Sequence, residues 1–134
     1  MEFHDHPHRV TYSETDQMGY VYYANHLAWF EIGRTELIRA TGLAYSEIED
    51  MGYVLPVMEA RCKYMIPAKY DDLITIRTRV TTFRGARIEF AYEIIRDGET
   101  LATGMTTHAF VDKDGRPKKP PEGLKERIDR AFRA

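Results

Sequence analysis

The sequence predicts a single α+β domain in which an antiparallel sheet wraps one long helix. Three observations carry that prediction: a broad helical stretch near the N-terminus, a switch to two-residue alternation after Gly52, and an Asp97-Gly98 pair between two alternating runs. Strands that follow one another without intervening helices pair antiparallel, which excludes a doubly wound sheet. The 134 residues suit one domain, 1–134.

Residues 1–8, MEFHDHPH, are polar and lack apolar periodicity, so a loose N-terminus is expected there. RVTYSE, Arg9 to Glu14, places Val10 and Tyr12 on one side and reads as the first strand. TDQMG is a turn, because Asp16 accepts from nearby backbone N–H groups and Gly19 tolerates positive φ. From Val21 to Gly42 the apolar residues recur at helical spacing, with Tyr23, Leu27, Phe30 and Leu37 flanked by Ala24, Ala28 and Ile32. Glu31, Arg34, Glu36 and Arg39 crowd the later half, so the first half is expected to be the more buried. Gly42 stops this helix, and a second short one is expected over 44–51, closed by Gly52.

Tyr53 to Met65, Asp72 to Thr82, Arg87 to Arg96 and Thr100 to Val111 are the four later strands, separated by PAKYD, FRGA and DG. Ile88, Phe90, Tyr92 and Ile94 oppose Arg87, Glu89 and Glu93, and Ile74, Ile76, Thr78 and Val80 oppose Thr75, Arg77 and Arg79. Such one-sided strands put one face of the sheet on a core and the other toward water or a partner. The segment 112–134 is a turn-rich exit, DKDGRPKKPPEG, followed by LKERIDRAF as a short final helix.

Lys+Arg of 19 against Asp+Glu of 21 gives a net charge of -2, which removes the global basic excess of a nucleic-acid or polybasic membrane binder. Any anion site must be local. One cysteine, Cys62, makes no internal disulfide, no basic start leads into an apolar run, and the apolar stretches are too short to span a bilayer; the cytoplasm is the expected compartment. A domain this small encloses little surface, so a site shared between subunits is anticipated.

The chemistry concentrates in YSETDQMGYVYYANHLAWFE, residues 12–31. Asp16 lies in a turn just ahead of the helix start. Free N–H groups gather near Val21 to Ala24, where the positive end of the helix dipole receives an anion or a developing oxyanion. A carboxylate facing such a terminus supplies what acyl transfer needs: a nucleophile or base, and a group that stabilises charge on oxygen.

This segment resembles the active-site signature of the hotdog-fold acyl-CoA thioesterases of the 4-hydroxybenzoyl-CoA thioesterase and YbgC-like family: Asp16 in a Thr-Asp context, Gly19, an aromatic pair, then a small-Asn-His stretch opening a long helix. YMIPAKYDDLITIRT, 64–78, resembles the family's Pro-x-x-x-Asp-x-Leu strand entry, and RDGETLATGMTTHAFVDKDGRPKKPP its last hairpin and Pro-rich exit. The likeness runs from Arg9 to Pro121. It implies a hotdog fold and hydrolysis of an acyl-CoA thioester to free acid and CoA, without metal or cofactor. Asp16 then matches the catalytic carboxylate and Tyr23 the residue whose backbone N–H polarises the thioester carbonyl. A Tyr here, where many YbgC-like members carry His, removes any imidazole role at that position. The resemblance also implies a homodimer or homotetramer with active sites at the subunit boundary. Arg84 and Arg87, in TFRGAR, fall where it places contacts to the nucleotide end of CoA, with Lys118 and Lys119 as further cations. The family's arginine pair is adjacent, whereas here Gly85 follows Arg84.

Simpler readings stand beside these. Asp16 alone reads as a turn or cap residue. Tyr20 and Tyr22 read as core or interface aromatics, Tyr22 also as a pocket wall, and Asn25 and His26 as pocket lining or as caps for helix-terminal groups. His4, His6 and His8 have a spacing that clips a metal, but a solvated terminus is the reading preferred. His108 reads as a satisfied sheet histidine, Cys62 as small apolar filler, and Glu59, on a strand bordering the pocket, as a reserve catalytic carboxylate. Tyr53, Val54, Leu55, Val57 and Met58 line either a short slot or a long acyl tunnel. Two rival functions remain. A hotdog hydratase or dehydratase needs a His paired with an acid, yet the turn holds Asp16 and no His before His26. A non-catalytic acyl-CoA or acyl-carrier-protein binding module has no need of Asp16 beside an intact helix start.

Overall fold

The computed structural model describes residues 3–132; Met1 and Glu2 of the expected loose N-terminus, and Arg133 and Ala134, lie outside the described residues. Its elements are β1 (His4–Arg9), a 3-10 turn (Tyr12–Glu14), α1 (Asn25–Ala40), α2 (Tyr45–Asp50), β2 (Val57–Tyr64), β3 (Leu73–Arg84), β4 (Arg87–Arg96), β5 (Glu99–Ala109) and α3 (Leu124–Phe132). The five strands form one antiparallel sheet in the order β1-β3-β4-β5-β2. The α+β expectation holds.

The N-terminus corrects the expectation. His4–Arg9 is a paired edge strand, with His4 opposite Thr78 and Arg9 opposite Leu73, while Tyr12–Glu14 turns in a 3-10 helix. The strand alternates in burial, with His4, His6 and His8 inward and Asp5, Pro7 and Arg9 outward. Its inward residues are imidazoles rather than aliphatics, so an apolar period does not reveal it. An edge position also tolerates Pro7, whose missing N–H breaks no ladder. Arg77 grips Asp5 through two hydrogen bonds of 2.9 and 3.0 Å, fixing this edge.

Helix α1 begins at Asn25, four residues after the expected start. Val21 is held back by strand-like pairing, since its N–H donates to Ala68 O at 2.8 Å. Trp29, Phe30, Leu37 and Ile38 of α1 are buried, each worth about 1.5–3 kcal/mol or more on transfer from water. They pack on Ile74, Ile76, Ile88, Phe90, Tyr92 and Ile94, the face anticipated from the alternation. Phe30 stacks on Tyr92 at 4.3 Å. Helix and sheet approach closely at Gly33, where a Cβ would collide with Thr78 Oγ1 and Ile76 Cγ2. Gly42 and Gly52 both take positive φ, and β2 begins at Val57, four residues after the expected start at Tyr53, with Val54 joined to Val111 only by an isolated bridge. Asp97 and Gly98 both take positive φ in the β4–β5 turn, as a two-residue type I′ hairpin requires. Leu124, Ile128 and Phe132, spaced by four, bury one side of α3.

Strand β2 departs from one-sidedness. From Val57 to Arg61 every residue is exposed, and Val57 and Met58 are each about half exposed, because β2 is an outer strand with little of α1 over it. No helix among the described residues is long and apolar enough to cross a membrane.

Candidate active site

Asp16 sits on the turn between Thr15 and Tyr20, and backbone bonds fix that turn. Asp16 N–H donates to Tyr20 O at 2.7 Å, and Gly19 N–H to Asp16 O at 3.0 Å. One carboxylate oxygen, Oδ1, accepts from the N–H of Met18 at 2.9 Å and of Tyr20 at 3.2 Å. Oδ2 has no partner among the described residues, so the carboxylate is oriented by one oxygen and open at the other. Gly19 supplies the φ of +80° that this tight return needs.

The start of α1 faces the same groove of about 250 Å³, lined by Asp16, Tyr20, Tyr23, His26, Tyr64 and Ile66 among others. Tyr22 N–H donates to Glu14 O, Asn25 N–H to Tyr22 O, His26 N–H to Tyr23 O and Leu27 N–H to Ala24 O. The N–H groups of Tyr23 and Ala24 have no acceptor among the described residues, as helix-terminal donors do. The Tyr23 carbonyl is crowded instead: the Tyr64 hydroxyl donates to it at 2.8 Å and His26 Nδ1–H at 3.0 Å. Since a carbonyl only accepts, His26 carries its proton on Nδ1. Burial holds the His26 imidazole below its ordinary value, outweighing the opposing effect of the Tyr23 carbonyl. Burial, with the neighbouring Cys62 thiol and Tyr23, pushes the Tyr64 phenol up to about 12.

A carboxylate with one bound and one open oxygen thus shares a groove with Tyr23, at a helix start whose first amides are unpartnered among the described residues. Residues 10–128 match the thioesterase-like superfamily. The chain belongs to that superfamily. It is 38% identical to the putative acyl-CoA thioesterase YneP of Bacillus subtilis over 106 residues, covering 78% of this chain and 77% of that protein. It is 32% identical to the acyl-CoA thioesterase YbgC of Haemophilus influenzae over 127 residues, covering 94% and 91%. Among solved structures, a DHNA-CoA thioesterase from Staphylococcus aureus superposes with a TM-score of 0.85 at 28% identity, covering 98% of this chain and 85% of that one. The α+β architecture is accordingly the hotdog fold of these thioesterases.

In this thioesterase-like chain the sequence candidates separate into groups. Asp16 and Tyr23 meet in the groove. Tyr22 lies beside it, its ring 4.7 Å from that of Tyr23. Asn25 is a fastener, since its Nδ2 donates to Glu14 O at 2.8 Å, whereas His26 lines the groove. Arg84 and Arg87 lie across the β3–β4 turn as direct cross-strand partners, both exposed. They are at the other end of the sheet from Tyr64: β5 pairs with Tyr64 at Ala102 and with Arg87 at Ala109, seven positions or roughly 23 Å further along. Glu59 is on exposed β2, tied to Arg61 at 2.7 Å, and does not line the Asp16 groove. Lys118 is engaged over the Tyr53 ring at 4.1 Å, while Lys119 is exposed.

His108 is fully buried and bonded to Leu55 O and Thr106 Oγ1, the satisfied sheet histidine expected. Cys62 is half-buried beside the core. No group of three His, Cys, Asp or Glu side chains among the described residues is placed to hold a metal ion. The expected alternating histidines serve β1 instead: His4 meets Phe132 edge-on and His8 contacts the Glu14 carboxylate at 3.0 Å.

Two participants, Glu14 and Tyr64, were not singled out from the sequence. The Glu14 carboxylate accepts from Trp29 Nε1–H at 2.7 Å and from Thr11 N–H at 2.8 Å, bracing the Asp16 turn on α1. Tyr64 reaches the helix start from a strand 41 residues away, a contact no local period announces. For Glu14 the available signal was its place two residues before Asp16.

Proposed function

We propose that the chain hydrolyses acyl-CoA thioesters to the free acid and CoA. The observation that carries the reading is the Asp16 carboxylate, oriented through Oδ1 and open at Oδ2, in one groove with Tyr23, whose amide, like that of the adjoining Ala24, has no acceptor among the described residues. Two routes suit this geometry. In one, Oδ2 attacks the thioester carbonyl, CoA thiolate departs, and water cleaves the resulting anhydride. In the other, Oδ2 takes a proton from water, which attacks directly. In both, charge builds on the carbonyl oxygen, and the Tyr23 N–H at the helix start holds it. Water is the sole co-substrate either route requires.

We further propose that a second copy completes the site. Strand β2 offers unpaired backbone and half-exposed Val57 and Met58 at the sheet edge, and pairing β2 with a partner's β2 covers both. Antiparallel pairing about a two-fold axis sets the Tyr64 end of one chain against the Val57 end of the other. That supplies Arg84 and Arg87 from the partner, whose like charges directly opposite one another favour an anion such as the CoA phosphates. Dimers of this kind, or tetramers built from them, are the assembly proposed. A lone cysteine fits a reducing compartment, and the cytoplasm is proposed.

Thiol release across acetyl to palmitoyl, benzoyl and phenylacetyl thioesters tests the activity and reads the acyl preference. Release from at least one member is expected. Tight acyl-CoA binding with no thiol released by any of them establishes the binding-module alternative, and hydration of crotonyl-CoA without thiol release establishes the hydratase.

A further inference from the structure

The first turn of α1 contains a peptide unit with an unusual load. Its carbonyl, that of Tyr23, accepts from the Tyr64 hydroxyl at 2.8 Å, from His26 Nδ1–H at 3.0 Å and from the His26 backbone N–H at 3.4 Å. The N–H on the opposite side of the same peptide plane belongs to Ala24 and has no acceptor among the described residues. Carbonyl and amide of one peptide point in opposite directions, so donors gathered on the carbonyl side leave the amide directed out of the helix start. A hydrogen bond accepted by the carbonyl also withdraws electron density through the conjugated C–N bond. That strengthens the amide as a donor, by the cooperativity that runs along hydrogen-bond chains.

We propose that Tyr64 and His26 are positioning residues that fix and polarise the Tyr23–Ala24 peptide, making the Ala24 N–H a second oxyanion donor beside that of Tyr23. The proposal rests on the thioesterase reading above. It assigns the two side chains no contact with the reacting atoms.

The surroundings suit the role. Tyr64 comes from β2 and His26 from α1, so the carbonyl is held by two independently anchored elements. His26 is only 4% exposed, with Trp29 at 4.8 Å on one side and Tyr64 at 4.7 Å edge-on against it, which leaves its ring no freedom to turn away. Both donors keep their protons in the working range, the phenol because it is pushed up to about 12 and the imidazole because Nδ1 bears the proton of the neutral ring. Asp16 belongs to the same groove, and its Oδ1 accepts from Met18 and Tyr20 N–H rather than from either side chain.

Replacing Tyr64 by Phe deletes the hydroxyl and keeps the ring. Losing one polarising bond, rather than a whole oxyanion donor, predicts a kcat lower by about 3- to 10-fold, KM within about 2-fold, and an unchanged melting temperature. The amide resonance of Ala24 in a ¹⁵N-labelled sample shifts upfield in the free protein, because its own carbonyl partner has lost a donor. His26→Gln, which retains an N–H donor, keeps more activity than His26→Phe. Wild-type kcat in Tyr64→Phe overturns the proposal. So does a fall in kcat accompanied by an unmoved Ala24 resonance, or by a lowered melting temperature and a parallel rise in KM, since each marks a merely structural side chain. Asp16→Asn run alongside separates the two levels. If it is inactive while Tyr64→Phe is unimpaired, the positioning role alone fails; if it retains full activity, the thioesterase reading fails and this inference with it.

Discussion

The indole N–H of Trp29 donates to the Glu14 carboxylate at 2.7 Å, joining the buried face of α1 to the turn that carries Asp16. Thr11 N–H at 2.8 Å and His8 Nε2 at 3.0 Å meet the same carboxylate, so β1, the 3-10 turn and the helix close on one group. The Glu14 backbone carbonyl adds two more bonds, from Tyr22 N–H and Asn25 Nδ2, each at 2.8 Å. The Asp16 turn and the helix start are thereby placed relative to each other through Glu14.

Replacing Glu14 by Ala is expected to destabilise the protein by about 2–4 kcal/mol, since hydrogen bonds to a charged group are lost and a buried indole N–H is stranded. Burial raises the Glu14 value, but the donors from Thr11, Trp29 and His8 together outweigh it and hold the carboxyl below 4.5. A depressed carboxyl contributes stability above its unfolded value and loses it as pH falls through the folded one. The urea midpoint should therefore fall with pH below about 4.5 in wild type and fall less in Glu14→Gln.

His108 titrates in a different window. Burial first, and the Arg34 charge second, lower its imidazole to about 4 from 6.5. The neutral ring is the folded form, so its contribution is complete above pH 6.5 and declines as pH falls toward 4. Melting temperatures followed from pH 7.5 to 4.5 should fall in wild type and fall less in His108→Gln. Equal slopes contradict the assignment.

Gly33→Ala should destabilise. On an isolated helix the change favours folding by roughly 0.8–1 kcal/mol, but here the new Cβ meets Thr78 Oγ1 and Ile76 Cγ2, and overpacking costs about 1–3 kcal/mol. Denaturant midpoints decide the sign, and a stabilised variant would show that α1 is not seated on β3 as described.

Much of this was readable in the chain. The aliphatic alternation of Ile74, Ile76, Val80 and Ile88 to Ile94 reports the buried face of β3 and β4 because apolar side chains on a half-buried sheet must repeat every two residues. Asp97-Gly98 reports its own turn. His4–Arg9 was hidden because its inward residues are imidazoles, held by an Asp5–Arg77 bond across 72 residues and by His8 on Glu14. Asp16 was readable as a turn residue ahead of a helix start and Tyr23 through the family resemblance, and both line one groove. Tyr64 was not, since its contact with Tyr23 O depends on how β2 passes α1. The separation of Arg84 from Asp16 was also beyond a linear reading, because it follows from strand register.

Arg84→Glu should raise KM for an acyl-CoA by about 10-fold or more while leaving kcat near wild type, since its proposed role is to meet the nucleotide end and not the thioester. The same substitution should leave the KM for a short thioester lacking the nucleotide unchanged. An unaltered acyl-CoA KM removes Arg84 from the binding surface.

The central claim is that Asp16 does the chemistry from a turn braced against α1. Its most direct test is the single-turnover rate of Asp16→Asn on the best acyl-CoA substrate, with folding checked by melting temperature. The Asn side chain can still accept from Met18 and Tyr20 N–H but offers no nucleophilic or basic oxygen. A rate at least about 100-fold below wild type, with substrate binding retained, is the expected result. A folded variant that cleaves the thioester at the wild-type rate would contradict it.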